Sequence, residues 1–73
     1  MIDPFDIYPW NNKGVSLSAL GRQDEAVACF LKAIEIDREY AVAWKNLAVA
    51  YRSLNRDQEA EEAERIARDM GLS

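Results

Sequence analysis

The 73 residues include no histidine, and the one cysteine, Cys29, has no second thiol to pair with. The commonest general base and metal ligand is therefore missing, and no disulfide framework can form, which fits a reducing, cytoplasmic compartment. No glycine-rich phosphate loop, nucleophile–base pair or carboxylate dyad takes their place. The residue types thus argue against an enzyme and call for no cofactor. Glu59, Glu61, Glu62 and Glu64 are dense, but their spacing spreads them around a helix rather than converging them on a metal, so they read as a solvated face. What remains is the chemistry of binding. Residues 8–21 hold Lys13 and no acid, and residues 41–56 hold Lys45, Arg52 and Arg56 and no acid. A formal charge of -4, from 9 basic and 13 acidic residues, therefore conceals two basic stretches. Such a surface would attract an acidic segment or a C-terminal carboxylate, while the overall charge disfavours nucleic acid and anionic membranes. Asn12 and Asn46 each offer an amide donor and acceptor suited to a peptide backbone.

The elements that carry these residues follow from a repeat. Trp10, Asn12, Val15, Leu20, Arg22, Glu25, Ala26 and Ala33 recur 34 positions later, as Trp44, Asn46, Val49, Leu54, Arg56, Glu59, Ala60 and Ala67. Ile2-Asp3 recurs as Ile36-Asp37. Within each period the apolar spacing is helical. Trp10, Gly14, Leu17 and Leu20 form one stripe, and Ala26, Cys29, Phe30, Ala33 and Ile34 a second. Trp44, Leu47, Ala48, Tyr51 and Leu54 repeat the first stripe, and Ala60, Ala63, Ala67 and Met70 repeat the second more thinly. Gly21, Asn55 and Gly71 stand where helices should close in the left-handed conformation, and Pro9 suits a first turn. The spacing predicts helices near 9–20, 24–36, 41–54 and 58–70, joined by short turns and hence antiparallel. Small residues at matched places, Gly14 with Ala26 and Ala33, then Ala48 with Ala60 and Ala67, let paired backbones approach closely. The expected fold is all-α: two stacked helical hairpins. No apolar run approaches the roughly 18 residues of a spanning helix.

This pattern resembles the tetratricopeptide repeat family, whose 34-residue unit opens Trp-x2-Leu-Gly-x2-Tyr, continues Ala-x3-Phe and closes near a proline. The first unit, 7–40, offers Trp10-x2-Lys13-Gly14-x2-Leu17 and Ala26-x3-Phe30. The second, 41–73, offers Trp44-x2-Leu47-Ala48-x2-Tyr51 and Ala60-x3-Glu64. Lys13 and Glu64 depart from the pattern and suggest solvated positions where the family buries apolar side chains. Residues 1–6 resemble the close of a preceding repeat, with Pro4 at the family's proline. The polar last helix, in turn, suits a terminal repeat. These features raise the expectation of a piece cut from a longer array, with Ser73 near its true end; the alternative is a natural two-repeat protein, whose uncovered first helix Lys13 would suit.

The resemblance implies a protein-interaction module, an α-solenoid with a concave groove lined by the first helix of each pair. Aligned as in the family, Tyr8, Asn11, Asn12, Val15 and Ala19 would face the groove from the first repeat, and Val42, Lys45, Asn46, Val49, Arg52 and Ser53 from the second. The expected peptide-binding set is Asn12, Lys45, Asn46, Val49 and Arg52. Lys45 and Asn46 resemble part of the family's carboxylate clamp, but Val15 and Val49 stand where the clamp would need other residues. Cys29, Trp10 and Trp44 read as packing residues. A competing expectation is structural. An uncovered face around Phe5, Trp10 and Leu17 would make the chain a twofold homodimer, since head-to-tail stacking would meet the acidic last helix.

Overall fold

A computed structural model of the chain describes residues 7–71, with side chains from residue 9 onward. It contains four helices: α1 (Ile7–Ala19), α2 (Gln23–Ile36), α3 (Ala41–Ser53) and α4 (Asp57–Asp69). No strand occurs among the described residues. The first hairpin, α1–α2, and the second, α3–α4, are held together mainly by α2 packing on α3, with a smaller contact between α1 and α3.

The turns inside the hairpins are chemically duplicated. Gly21 (φ 80°) and Asn55 (φ 63°) are left-handed, as is Gly71 (φ 93°) after α4. After α1, the Arg22 N–H donates to the Leu17 carbonyl at 2.9 Å and the Gly21 N–H to Ser18 at 3.0 Å. After α3, Arg56 donates to Tyr51 at 2.9 Å and Asn55 to Arg52 at 3.1 Å. This paired closure satisfies carbonyls that a helix end would otherwise leave open. Arg22 and Arg56 then stand at the N-cap of the next helix, and neither side chain caps its N–H groups. Each guanidinium instead forks onto the glutamate three residues on. Arg22 meets Glu25 at 2.8 and 2.6 Å, and Arg56 meets Glu59 at 2.7 and 2.6 Å. This pairing is the role of two recurring identities that the period registers without explaining.

The core is built on the small residues. Ala26, Ala33, Ala43, Ala50 and Ala60 have no exposed surface, and around them lie Phe30, Leu47, Cys29, Ile34 and Leu17. Trp10, Tyr40, Trp44 and Leu54 pack against this cluster from its edge. Gly14 marks the closest approach: a Cβ there would stand 2.5 Å from Phe30 Cε1, so the phenyl ring lies directly on the α1 backbone. Leu20 departs from its expected place on the first apolar stripe. It is 71% exposed, because α1 ends at Ala19 and the chain has already turned away from the core.

Candidate functional site

Two concave surfaces lie on opposite sides of α1. The first lies between α1 and α3. It is a depression of about 290 Å³ walled by Val15, Ser18 and Ala19 from α1 and by Asn46 and Val49 from α3, with Phe30 of α2 among its lining. Val15 and Val49, the recurring pair, are about half exposed here, so each presents an apolar side chain to solvent across the seam. The seam itself is fixed by an amide pair. Asn46 Nδ2 donates to Asn11 Oδ1 at 3.1 Å, and Asn11 is only 6% exposed. Such a hydrogen bond between a buried and a half-buried amide orients the Asn46 head group.

Of the expected binding residues, the structure brings Asn46 and Val49 together in this depression. Lys45 is exposed on α3, with no ion pair among the described residues, and Asn12 is exposed on α1. Arg52 is already engaged: its Nη2 donates to Glu64 Oε1 of α4 at 2.7 Å. The hydrogen bond to Glu64, then the carboxylate's charge, raise the Arg52 pKa further, so it is a cation shared within the second hairpin. Asn11, expected to face the groove, is instead buried against Asn46. Sequence reasoning overlooked this pair because the period matches Asn12 with Asn46 as equivalents. Helices that neighbour one another across the seam bring together residues offset by 35, not 34.

The second surface is a slot between α1 and α2 on the side away from α3. Trp10, Lys13, Leu17, Glu25, Ala28 and Cys29 line it, enclosing about 270 Å³. Lys13 therefore flanks this slot rather than adding charge to the groove. Its Nζ sits 5.9 Å from the Trp10 ring centroid, and Lys32 Nζ sits 6.0 Å from the same ring. The second hairpin has the same slot, lined by the residues 34 positions on, with Leu31 of α2 added as a further wall and the volume reduced to about 160 Å³. The Trp44 indole N–H donates to the Arg38 carbonyl at 2.8 Å. The Trp10 N–H is buried without an acceptor; the period puts residue 4 in Arg38's place, and that residue lies outside the described ones.

The residues expected to mediate self-association fare differently. Leu17 is 7% exposed and belongs to the core, which leaves it little area for a partner. Trp10 is half-buried between its lysines, and Phe5 lies outside the described residues. A third hollow of about 580 Å³ runs along α4 between Gln58, Glu61, Glu62, Glu64, Arg65 and Arg68. A single helix supplies every wall, so it is the space between long solvated side chains. No group of three metal-ligating side chains converges among the described residues, and no described helix is long and apolar enough to cross a membrane.

Two family models match this chain, both described as tetratricopeptide repeat: one over residues 7–40, the other over residues 29–62. The second match starts within α2 and ends within α4, so it takes in the end of α2, all of α3 and the start of α4. A search of curated proteins finds no match. Repeats of this kind are non-catalytic scaffolds that generally mediate protein–protein interaction. With the period, the paired turns and both matches in agreement, the chain belongs to the tetratricopeptide repeat family.

Proposed function

We propose that the chain binds an extended segment of a partner protein in the depression between α1 and α3. The observation that carries this reading is the exposure of Val15 and Val49 across a seam in which the Asn46 amide is held by a buried amide. Exposed valines on facing helices offer an apolar seat, and an oriented amide offers the directional contact that a backbone needs. An acidic or C-terminal segment is favoured by Lys45 on the exposed face of α3, but Arg52 contributes less than its charge suggests, because Glu64 already neutralises it. The preference is thus for an apolar anchor with an acid near Lys45, and the setting is cytoplasmic, consistent with the unpaired thiol of Cys29.

The alternative expectation, twofold self-association, has less in its favour. Leu17 is committed to the core, and pairing of like slots would bring the Lys13 and Lys32 of both copies into one interface. A synthetic peptide array of extended sequences tests the proposal. Binders should carry a small or medium apolar residue with a neighbouring acid, and Val49→Asp should abolish their binding while circular dichroism stays helical. Binders that ignore Val49→Asp would remove the groove from consideration.

A further inference from the structure

We infer that the slot between α2 and α4, floored by α3, receives an arginine side chain of a partner protein, its guanidinium laid against Trp44 and paired with Glu62. Leu31 of α2, then Trp44, Leu47 and Tyr51 of α3, then Glu59 and Glu62 of α4 line this slot, which encloses about 160 Å³. It is open because α2 and α4 each pack on α3 and not on one another. Both walls are therefore present in the chain. A further helix packed on α4 need not close the slot: α3 packs on α2 in that way, yet no residue of α3 lines the slot of the first hairpin. By helical spacing, Trp44, Leu47 and Tyr51 lie on the face of α3 opposite Asn46 and Val49, so this surface is separate from the valine seam.

The chemistry of the occupant follows from arrangements the molecule already contains. At one end of the slot, the Arg56 guanidinium lies 4.7 Å from the Tyr51 ring centroid and forks onto Glu59 at 2.7 and 2.6 Å. Trp44 stands two turns before Tyr51, and Glu62 one turn after Glu59 on the antiparallel helix, so both are displaced toward the other end. They offer the same two partners, a ring and a carboxylate. Among the described residues no cation stands over Trp44, and Glu62 makes no ion pair. The first hairpin is the contrast. Lys13 and Lys32 stand 5.9 and 6.0 Å from the Trp10 ring, at the positions where the second hairpin has Leu47 and Ile66, and Ala28 stands where it has Glu62. Trp44 thus has two cations fewer and one acid more around it than Trp10. The charge of Glu62 reaches into the slot: burial first, then Glu59 and, after the opposing Arg56, Glu62 push the Tyr51 hydroxyl above its ordinary value. A planar guanidinium can stack on a ring and fork onto a carboxylate at once, which an ammonium cannot. The exposed Leu31 side chain would cover its methylene stem.

The test titrates the isotopically labelled chain with synthetic peptides of alanine and serine that carry one central arginine, lysine or citrulline, the last matching arginine in shape without its charge. The two tryptophan indole N–H signals are followed by nuclear magnetic resonance, with Trp10 as the internal control. The arginine peptide should shift the Trp44 signal and the amides of Leu31 and Glu62, and leave Trp10 unmoved. Glu62→Gln should weaken this binding by about tenfold. Glu62 is exposed, so the variant keeps its helical circular dichroism. Val49→Asp should leave the binding intact, which separates the slot from the seam. Binding of the citrulline or lysine peptide as tight as that of the arginine peptide, or unchanged affinity in Glu62→Gln, would overturn the inference. So would a Trp44 signal that moves with chain concentration in the absence of peptide, which would make a second copy the occupant.

Discussion

The two hairpins place different side chains at matched positions, and the differences follow what lies next to each. In the first, Phe30 is 1% exposed, lies on the backbone of Gly14 and shares the lining of the seam with Asn46 and Val49 of the second hairpin. In the second, the same two positions hold Glu64 and Ala48. Among the described residues α4 packs on α3 alone, and the Glu64 carboxylate turns back to Arg52 instead of filling a core. Trp10 and Trp44 differ in the same sense. One is flanked by lysines, whereas the other has Leu31 and Leu47 in its slot and an acceptor for its N–H. In a repeat protein a position's chemistry thus depends on the neighbour as much as on the unit.

The sharpest way to break this comparison is to truncate the same position in both hairpins. Phe30→Ala should cost about 3–5 kcal/mol, most of the stability available to so short a chain. Glu64→Ala, which loses only a half-exposed ion pair, should stay within about 0.5 kcal/mol. Urea midpoints that move equally would show that Phe30 is not the keystone of the hairpin contact. Next in size is overpacking at the helix crossings. Ala26→Leu and Ala60→Leu, both at fully buried positions, should cost about 1–3 kcal/mol or more, whereas Ala28→Leu, on an exposed face, should be near neutral. Similar melting temperatures for all three would misplace the crossings.

Gly14 sharpens the contrast at smaller scale. Gly14→Ala gains about 1 kcal/mol of helix propensity but drives a methyl into the Phe30 ring, so it should be neutral to destabilising. Ala48→Gly has no such compensation and should lose about 1 kcal/mol. A clearly stabilising Gly14→Ala would mean that the ring moves freely away.

The smallest effect is electrostatic. The Arg22 hydrogen bond, opposed by some burial and aided by the charges of Arg22 and Lys13, holds the Glu25 carboxyl below the usual glutamate range. A carboxyl whose pKa falls on folding stabilises the native state above its unfolded pKa and loses that contribution as pH falls through the folded value. The stability difference between the wild type and Arg22→Ala should therefore be present at neutral pH and vanish in acid. A difference that persists below the carboxylate range would assign the role of Arg22 to packing.

Much of the fold is legible residue by residue. Gly21, Asn55 and Gly71 announce their turns because few residues accept a positive φ, and the recurring alanines announce the crossings because nothing larger fits there. The site was legible only in part. Val15 and Val49 appear as a matched pair, but the burial of Asn11, the capture of Arg52 by Glu64 and the placement of Lys13 against Trp10 do not. A period reveals which residues are equivalent. Which residues touch depends on how neighbouring helices are offset and rotated, and that is a tertiary property.

The central functional claim is that the valine-walled seam between α1 and α3 receives the partner segment. Amide chemical-shift mapping tests it most directly, with the isotopically labelled chain titrated with the strongest peptide from the array. The account predicts that the largest shifts fall on Val15, Ala19, Asn46 and Val49, with Lys45 at the margin and α4 unaffected. Shifts concentrated on Glu61, Arg65 and Arg68 of α4, with the seam unchanged, would contradict it.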